Sequence, residues 1–228
     1  MSTSRAIASV LCLLPLATGV VGCAQGSSAS APSTETVPAS ADSYSADDAL
    51  RLFESTHFDY NVVDSTAALA EASTLVITGT LNDVRDGRTE TVVGTDDVIS
   101  TTIILELSDV SPLAGEQESS SDGHVYIEMQ RPGPYSVQEI ARALPTGAQV
   151  IGYLSPGPEG GLAAEETDTE IRDPDAGRPD GQPLYVFASP QGFALQVGDH
   201  DVVWPLLGAT TRGDIAIFAP SESTMLPE

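Results

Sequence analysis

The sequence predicts a mostly β domain, a small barrel or sandwich with two or three short helices, set behind an export leader and a linker. Three observations lead there. Short runs rich in Val, Ile, Leu and Thr recur from residue 74 onward, separated by Gly, Pro, Asp and Asn signals. Only a few segments carry helix caps followed by apolar residues at helical spacing. The first 44 residues have no β or helical period suited to a folded domain: an apolar run is followed by a Ser/Ala/Thr/Pro tract.

The leader occupies residues 1–22. Arg5 gives it a positive start, and an apolar stretch from Ala6 to Val21 follows, interrupted by Ser9, Pro15, Thr18 and Gly19. That stretch is short and weakly apolar for a membrane span, and its length suits the core of a signal peptide. It ends Val20-Val21-Gly22-Cys23. This resembles the lipobox of bacterial lipoproteins, in which an aliphatic residue and two small or aliphatic ones precede a Cys. The resemblance implies that the Cys23 sulfur takes a diacylglyceryl group and that a peptidase cuts just before it. The new amine can then take an acyl chain such as palmitate. Two or three acyl chains hold a protein where one would not, since each buried CH₂ adds ~0.8 kcal/mol. The expected location is the outer face of the cytoplasmic membrane, with the membrane as first partner.

The two cysteines are Cys12 and Cys23. Cleavage before Cys23 leaves one thiol, so no intramolecular disulfide can form and the domain must stand on its core. Residues 23–44 read as the lipidated Cys and a flexible linker. Such a composition cannot bury enough surface to offset its ordering entropy. As a coil it spans ~25 Å on average, and its Ser/Thr/Pro content would also suit O-glycosylation.

The exported domain runs from 45 to 228. Ser45-Ala46-Asp47-Asp48 resembles a capping box and starts a helix over 46–55, with Ala46, Leu50 and Phe53 on one face. Asp64-Ser65 caps a second helix carrying Leu69 and Ala72. Residues 74–84 read as a strand, Asp86-Gly87 as a turn, and 101–110 as a strand with Ile103, Leu105 and Leu107 on one face. A polar loop is expected over 112–123, then a strand over 124–130. Ser136 and Glu139 form a capping box ahead of Val137, Ile140, Ala141 and Leu144, closed by Pro145 and Gly147. A strand follows at 148–154, then a long acidic insertion over 155–183. The segments 184–189, 192–197, 201–204 and 214–218 read as a meander, with turns at Pro190-Gln191-Gly192 and Gly198-Asp199.

Helix, then strand 75–81, then strand 103–110, then strand 125–129 resembles the small OB-like barrels of netrin-type modules. The same order resembles uncharacterised actinobacterial envelope proteins. It covers about half of the exported domain, and the cysteines of netrin-type modules are missing here. The resemblance therefore bears on fold class and not on function.

Charge excludes some partners. The chain carries 9 basic against 33 acidic residues, a net charge of -24, and every basic residue is Arg. Nucleic acids and anionic headgroups are repelled, whereas cations and basic partners are tolerated. No active-site motif stands out. Ser155 in Gly152-Tyr153-Leu154-Ser155-Pro156 lacks the second Gly of a nucleophile elbow. There is no His-Glu-x-x-His pair, and the absence of Lys excludes a Schiff base. His57 and His124 sit in a loop and at a strand start. His200 lies between Asp199 and Asp201 in a hairpin turn, where carboxylates could orient an imidazole or share a metal. Asp168, Glu170, Asp173, Asp175 and Asp180, with Gly177 and Gly181, gather in the insertion. They read either as a disordered acidic loop or as a weak Ca²⁺ site, since hard cations take clustered oxygens. Trp204, Tyr185, Phe187, Phe193 and Phe218 fall in predicted strands and read as core; an exposed aromatic patch would point to carbohydrate or peptide.

No cofactor is implied. The expected function is that of a membrane-anchored extracytoplasmic lipoprotein whose domain is a non-catalytic binding or interaction module for an envelope protein, a glycan or a cation. The alternatives are a cell-envelope hydrolase with dispersed catalytic residues and a purely structural or stress-related lipoprotein.

Overall fold

Ser45 caps the first helix, α1 (Ala46–Phe53), by accepting the Asp48 amide at 3.3 Å. The helix buries Ala49, Leu52 and Phe53. Ser65 caps the second, α2 (Thr66–Glu71), which buries Thr66 and Leu69. Thr66 Oγ1 donates at 3.1 Å, shared between the carbonyls of Ala219 and Ser221, and the Thr66 amide donates to Thr224 O at 3.0 Å. These bonds tie the C-terminal tail to the start of α2. The third helix, α3 (Val137–Ala143), has the predicted capping box complete, with Ser136 and Glu139 bonded reciprocally.

The computed structural model describes residues 45–162 and 168–227, all of them in the unit spanning 39–228. The leader, Cys23 and the whole linker lie outside the described residues. Nine strands are present among the described ones: β1 (Leu75–Val92), β2 (Val98–Gly115), β3 (Val125–Gln130), β4 (Gln149–Pro156), β5 (Thr169–Arg172), β6 (Leu184–Phe187), β7 (Phe193–Val197), β8 (Asp201–Trp204) and β9 (Ala209–Arg212). They form one sheet in the order β5-β1-β2-β3-β6-β4-β7-β8-β9, with a further β1–β4 pairing. That pairing closes a ring, β1-β2-β3-β6-β4. The domain is mostly β with three short helices, as the sequence predicts, and its sheet is ringed.

Closure removes edges from the ring, and it requires one unusual contact. β3 and β6 pair in parallel, Tyr126–Glu128 against Leu184–Val186. Parallel neighbours need a long crossover. Here α3, β4 and the insertion supply it. β6 is therefore not part of a meander; only β7, β8 and β9 follow one another.

Two apolar clusters lie on opposite sides of the sheet. One contains Ile77, Leu81, Leu105, Ile127, Val150, Leu195 and Val203 together with Leu52, Phe53 and Ile140 from the helices. The other contains Leu69, Val76, Ile151, Tyr153, Val202, Trp204 and Phe218. Burial on both faces explains why Val150–Leu154 and Val202–Trp204 are apolar without alternation.

Several elements differ from the sequence reading. Asp86-Gly87 is not a turn. β1 runs straight through it, and the register with β2 slips between Asp86 and Thr89. The one extra residue on β1 forms a bulge, which bends the strand. A Cβ on Gly87 would lie 2.4 Å from Thr102 Oγ1, so Gly is required by close approach rather than by a turn. The chain actually reverses at 93–97. Residues 215–218 form a 3₁₀ turn, not a strand, because the Asp214 carboxylate accepts the Ala216 amide at 2.8 Å and captures the backbone locally. The insertion is not free either. It contributes β5, which pairs with Thr89–Val92 of β1.

Candidate functional site

The ring opens at one point. Past Glu128 and Val186 the parallel β3–β6 ladder stops: β3 continues beside β2, while Phe187 pairs with Leu154 of β4. A cavity of about 600 Å³ fills this wedge, lined by 128–133 on one side and 186–190 on the other. The segment from Ser55 to Tyr60, between α1 and α2, borders it, with Phe53 from the end of α1. Pockets that hold small molecules span roughly 300–1,000 Å³.

Both ends of the bordering segment are fixed. Phe53 is buried in the core, and the Val63 amide and carbonyl bond the buried Gln191 side chain at 2.9 and 3.0 Å. Between them, Phe58 is 36 % exposed and Tyr60 half-buried. Phe187 on the opposite wall is stacked on Phe193, ring centres 4.6 Å apart and planes 22° apart. That contact braces the ring in place.

The floor is charged and satisfied. Glu128 is fully buried and takes Arg88 Nε at 2.8 Å, Arg88 Nη2, and Thr102 Oγ1 at 2.9 Å. Arg88 Nη2 also donates to Pro158 O at 3.1 Å. Buried Glu90 accepts the Leu162 amide at 2.5 Å. Two buried charges on β1 thus hold the start of the insertion against the ringed sheet. Arg131, further along the wall, pairs with Asp86, while its buried Nε has no partner among the described residues.

A second polar group lies on the outer side of β1, β2 and β3. Glu106, 3 % exposed, has Asn82 Nδ2 at 2.5 Å and His124 Nδ1 at 2.8 Å on one oxygen, and Arg85 Nη2 against the other. Tyr126 donates to Asp122 at 2.6 Å, as does Ser120 at 2.5 Å. Those bonds, Ser120 first, hold the Asp122 carboxyl well below the usual range. Burial, then the Asp122 contact, pushes the Tyr126 hydroxyl up.

The structure separates the candidates drawn from the sequence. Asp199 and His200 are exposed in the β7–β8 turn, and Asp201 starts β8. Asp168 and Asp173 flank β5 at opposite ends, and Asp175 pairs with Arg178 at 3.1 Å. No group of three or more His, Cys, Asp or Glu placed to hold a metal occurs among the described residues. His57 borders the cavity, His124 leans on Glu106, and His200 stands apart. No hydrogen bond among the described residues joins His57 to Ser55, Asp59 or Ser189, its neighbours on the cavity wall. Of the aromatics, Trp204, Phe193, Phe218 and Tyr185 are buried, and Phe187 alone of these lines the cavity. The bordering residues Phe58 and Tyr60 have no periodic signal, and Arg131 follows a strand end. Their one visible mark was a cluster of aromatic residues in a stretch without secondary structure.

No protein-family model, curated protein or solved structure matches the chain.

Proposed function

We propose that this chain is a lipid-anchored protein of the outer face of the cytoplasmic membrane, and that its acidic β domain is a binding module working through the cavity beside β3 and β6. The anchor reading rests on Val20-Val21-Gly22-Cys23 at the end of an apolar run, with polar residues starting directly after it. The binding reading rests on one observation: a cavity of about 600 Å³, walled by aromatic side chains, at the point where the ring parts. Polar side chains on that wall orient a ligand, and aromatic faces supply apolar contact. The small OB-like barrel suggested by the order of helix and strands suits such a module. A net charge of -24 turns nucleic acid away and keeps the domain in solution beside its membrane.

Replacing Cys23→Ala and fractionating the producing cells tests the anchor. The native protein should sediment with membranes and the variant should not. Membrane retention of the variant would overturn it. Mass spectrometry of the native protein should find residue 23 first in the chain and lipid-modified.

A further inference from the structure

We infer that the cavity between β3 and β6 takes a neutral saccharide. The inference rests on the reading of this cavity as the binding site, and it names the ligand class.

The wall combines two kinds of group. Phe58, Tyr60 and Phe187 offer aromatic surface, and Phe187 is held rigid by its stack on Phe193. Rigid, amphipathic rings give contact area at low entropic cost. Around them stand His57, Asp59 and Gln130, and the hydroxyl of Tyr60. None of these side chains has a hydrogen-bond partner among the described residues, and Arg131 Nε has none either. A wall that sets exposed polar side chains beside aromatic ones suits a ligand with both features. A sugar ring has them: C–H bonds on its flat faces and hydroxyls, each donor and acceptor, around its edge.

Other ligand classes fit less well. An acyl chain would leave the polar groups unpaired, at a cost of about 1–3 kcal/mol for each one buried. An anion meets a chain of net charge -24, with Asp59 on the wall itself. A cation meets Arg131, and the nearest buried carboxylate, Glu128, is already neutralised by Arg88. A peptide strand would need a run of free sheet edge, yet Pro132 and Pro190 end the two walls.

The test is calorimetric titration of the detergent-solubilised full-length protein with three neutral trisaccharides: cellotriose, maltotriose and the N-acetylglucosamine trimer. Tetramethylammonium serves as a cationic probe. At least one trisaccharide should bind, with little salt dependence. Phe58→Ala and Tyr60→Ala should each weaken it about tenfold or more, and Tyr60→Trp should restore it. His200→Ala, on a turn that does not line the cavity, should change nothing. Thermal melts identify any variant that fails to fold; Phe58 is exposed, so its variant carries the test if Tyr60→Ala does not fold. Failure of all three sugars to bind overturns the proposal, as does unchanged affinity in Phe58→Ala. Binding of tetramethylammonium alone, lost in Tyr60→Ala, would keep the cavity as a binding site and remove the saccharide.

Discussion

Arg88 on β1 and Glu128 on β3 form an ion pair inside the protein, at 3 % and 0 % side-chain exposure, with Arg88 Nε 2.8 Å from Glu128 Oε1. Thr102 and the Pro158 carbonyl complete the set. Removing one partner strands the other charge away from water. Glu128→Ala is expected to destabilise the domain by about 3–5 kcal/mol, whereas Arg88→Met with Glu128→Leu should recover much of that loss. Urea unfolding of the three proteins checks it. Equal stability of the single and double variants would show that the pair's isolation is not what matters.

Alkali should unfold the domain earlier than its acidic composition suggests. Burial raises the hydroxyls of Tyr126, Tyr153 and Tyr185 above their ordinary value. Because the folded values are raised, the unfolded chain loses these protons first. The stability they contribute is intact below about pH 10 and falls as pH climbs past it. Tyr153 also donates to Phe218 O at 2.6 Å. The urea midpoint should drop steeply above about pH 10, and less steeply in Tyr153→Phe. A midpoint that stays flat across that range would refute the linkage.

Much of the fold is legible in the sequence because local chemistry determines it. The Ser136–Glu139 box, the Ser65 cap and the β-branched runs at 75–81 and 103–107 hold their predicted states. Asp86-Gly87 misleads because a bulge and a turn ask for the same residues. Ile215–Phe218 misleads because one Asp214 hydrogen bond outweighs β propensity. The cavity is a different matter. Tyr60, Gln130 and Phe187 lie far apart in sequence and meet only because β3 and β6 pair in parallel across a long crossover. No local period encodes that meeting.

Acid acts on a different group. Hydrogen bonds from Ser120, Tyr126 and the His124 amide hold the Asp122 carboxyl low. With the folded value depressed, its contribution is present above the unfolded value, about pH 3.9, and is lost as pH falls below it. Asp122 is exposed, so solvent screens the effect and it should be modest. Asp122→Asn should flatten the acid limb of the urea-midpoint curve and leave the alkaline limb in place. An unaltered acid limb would assign the loss to other carboxylates.

Gly177 marks where the insertion meets β1 and β2. Its φ is +79°, and a Cβ there would lie 2.6 Å from both Asp86 O and Ile104 Cγ1. Gly181 shares the backbone conformation, φ +72°, but has nothing within 4 Å of its would-be Cβ. The two positions therefore separate strain from contact. Gly181→Ala carries only the left-handed backbone cost, about 1–2 kcal/mol. Gly177→Ala carries that cost and a collision with β1 backbone and a buried Ile. It should lift residues 173–183 off the sheet and weaken the Arg178 bonds to Pro174 O and Gln182 O. Limited trypsin digestion reads this directly, since Arg172 precedes the segment. Cleavage there should accelerate strongly in Gly177→Ala and little in Gly181→Ala. Equal rates in the two variants would mean that the insertion is held by its ends, at Glu90 and β6, and not by its contact at Gly177.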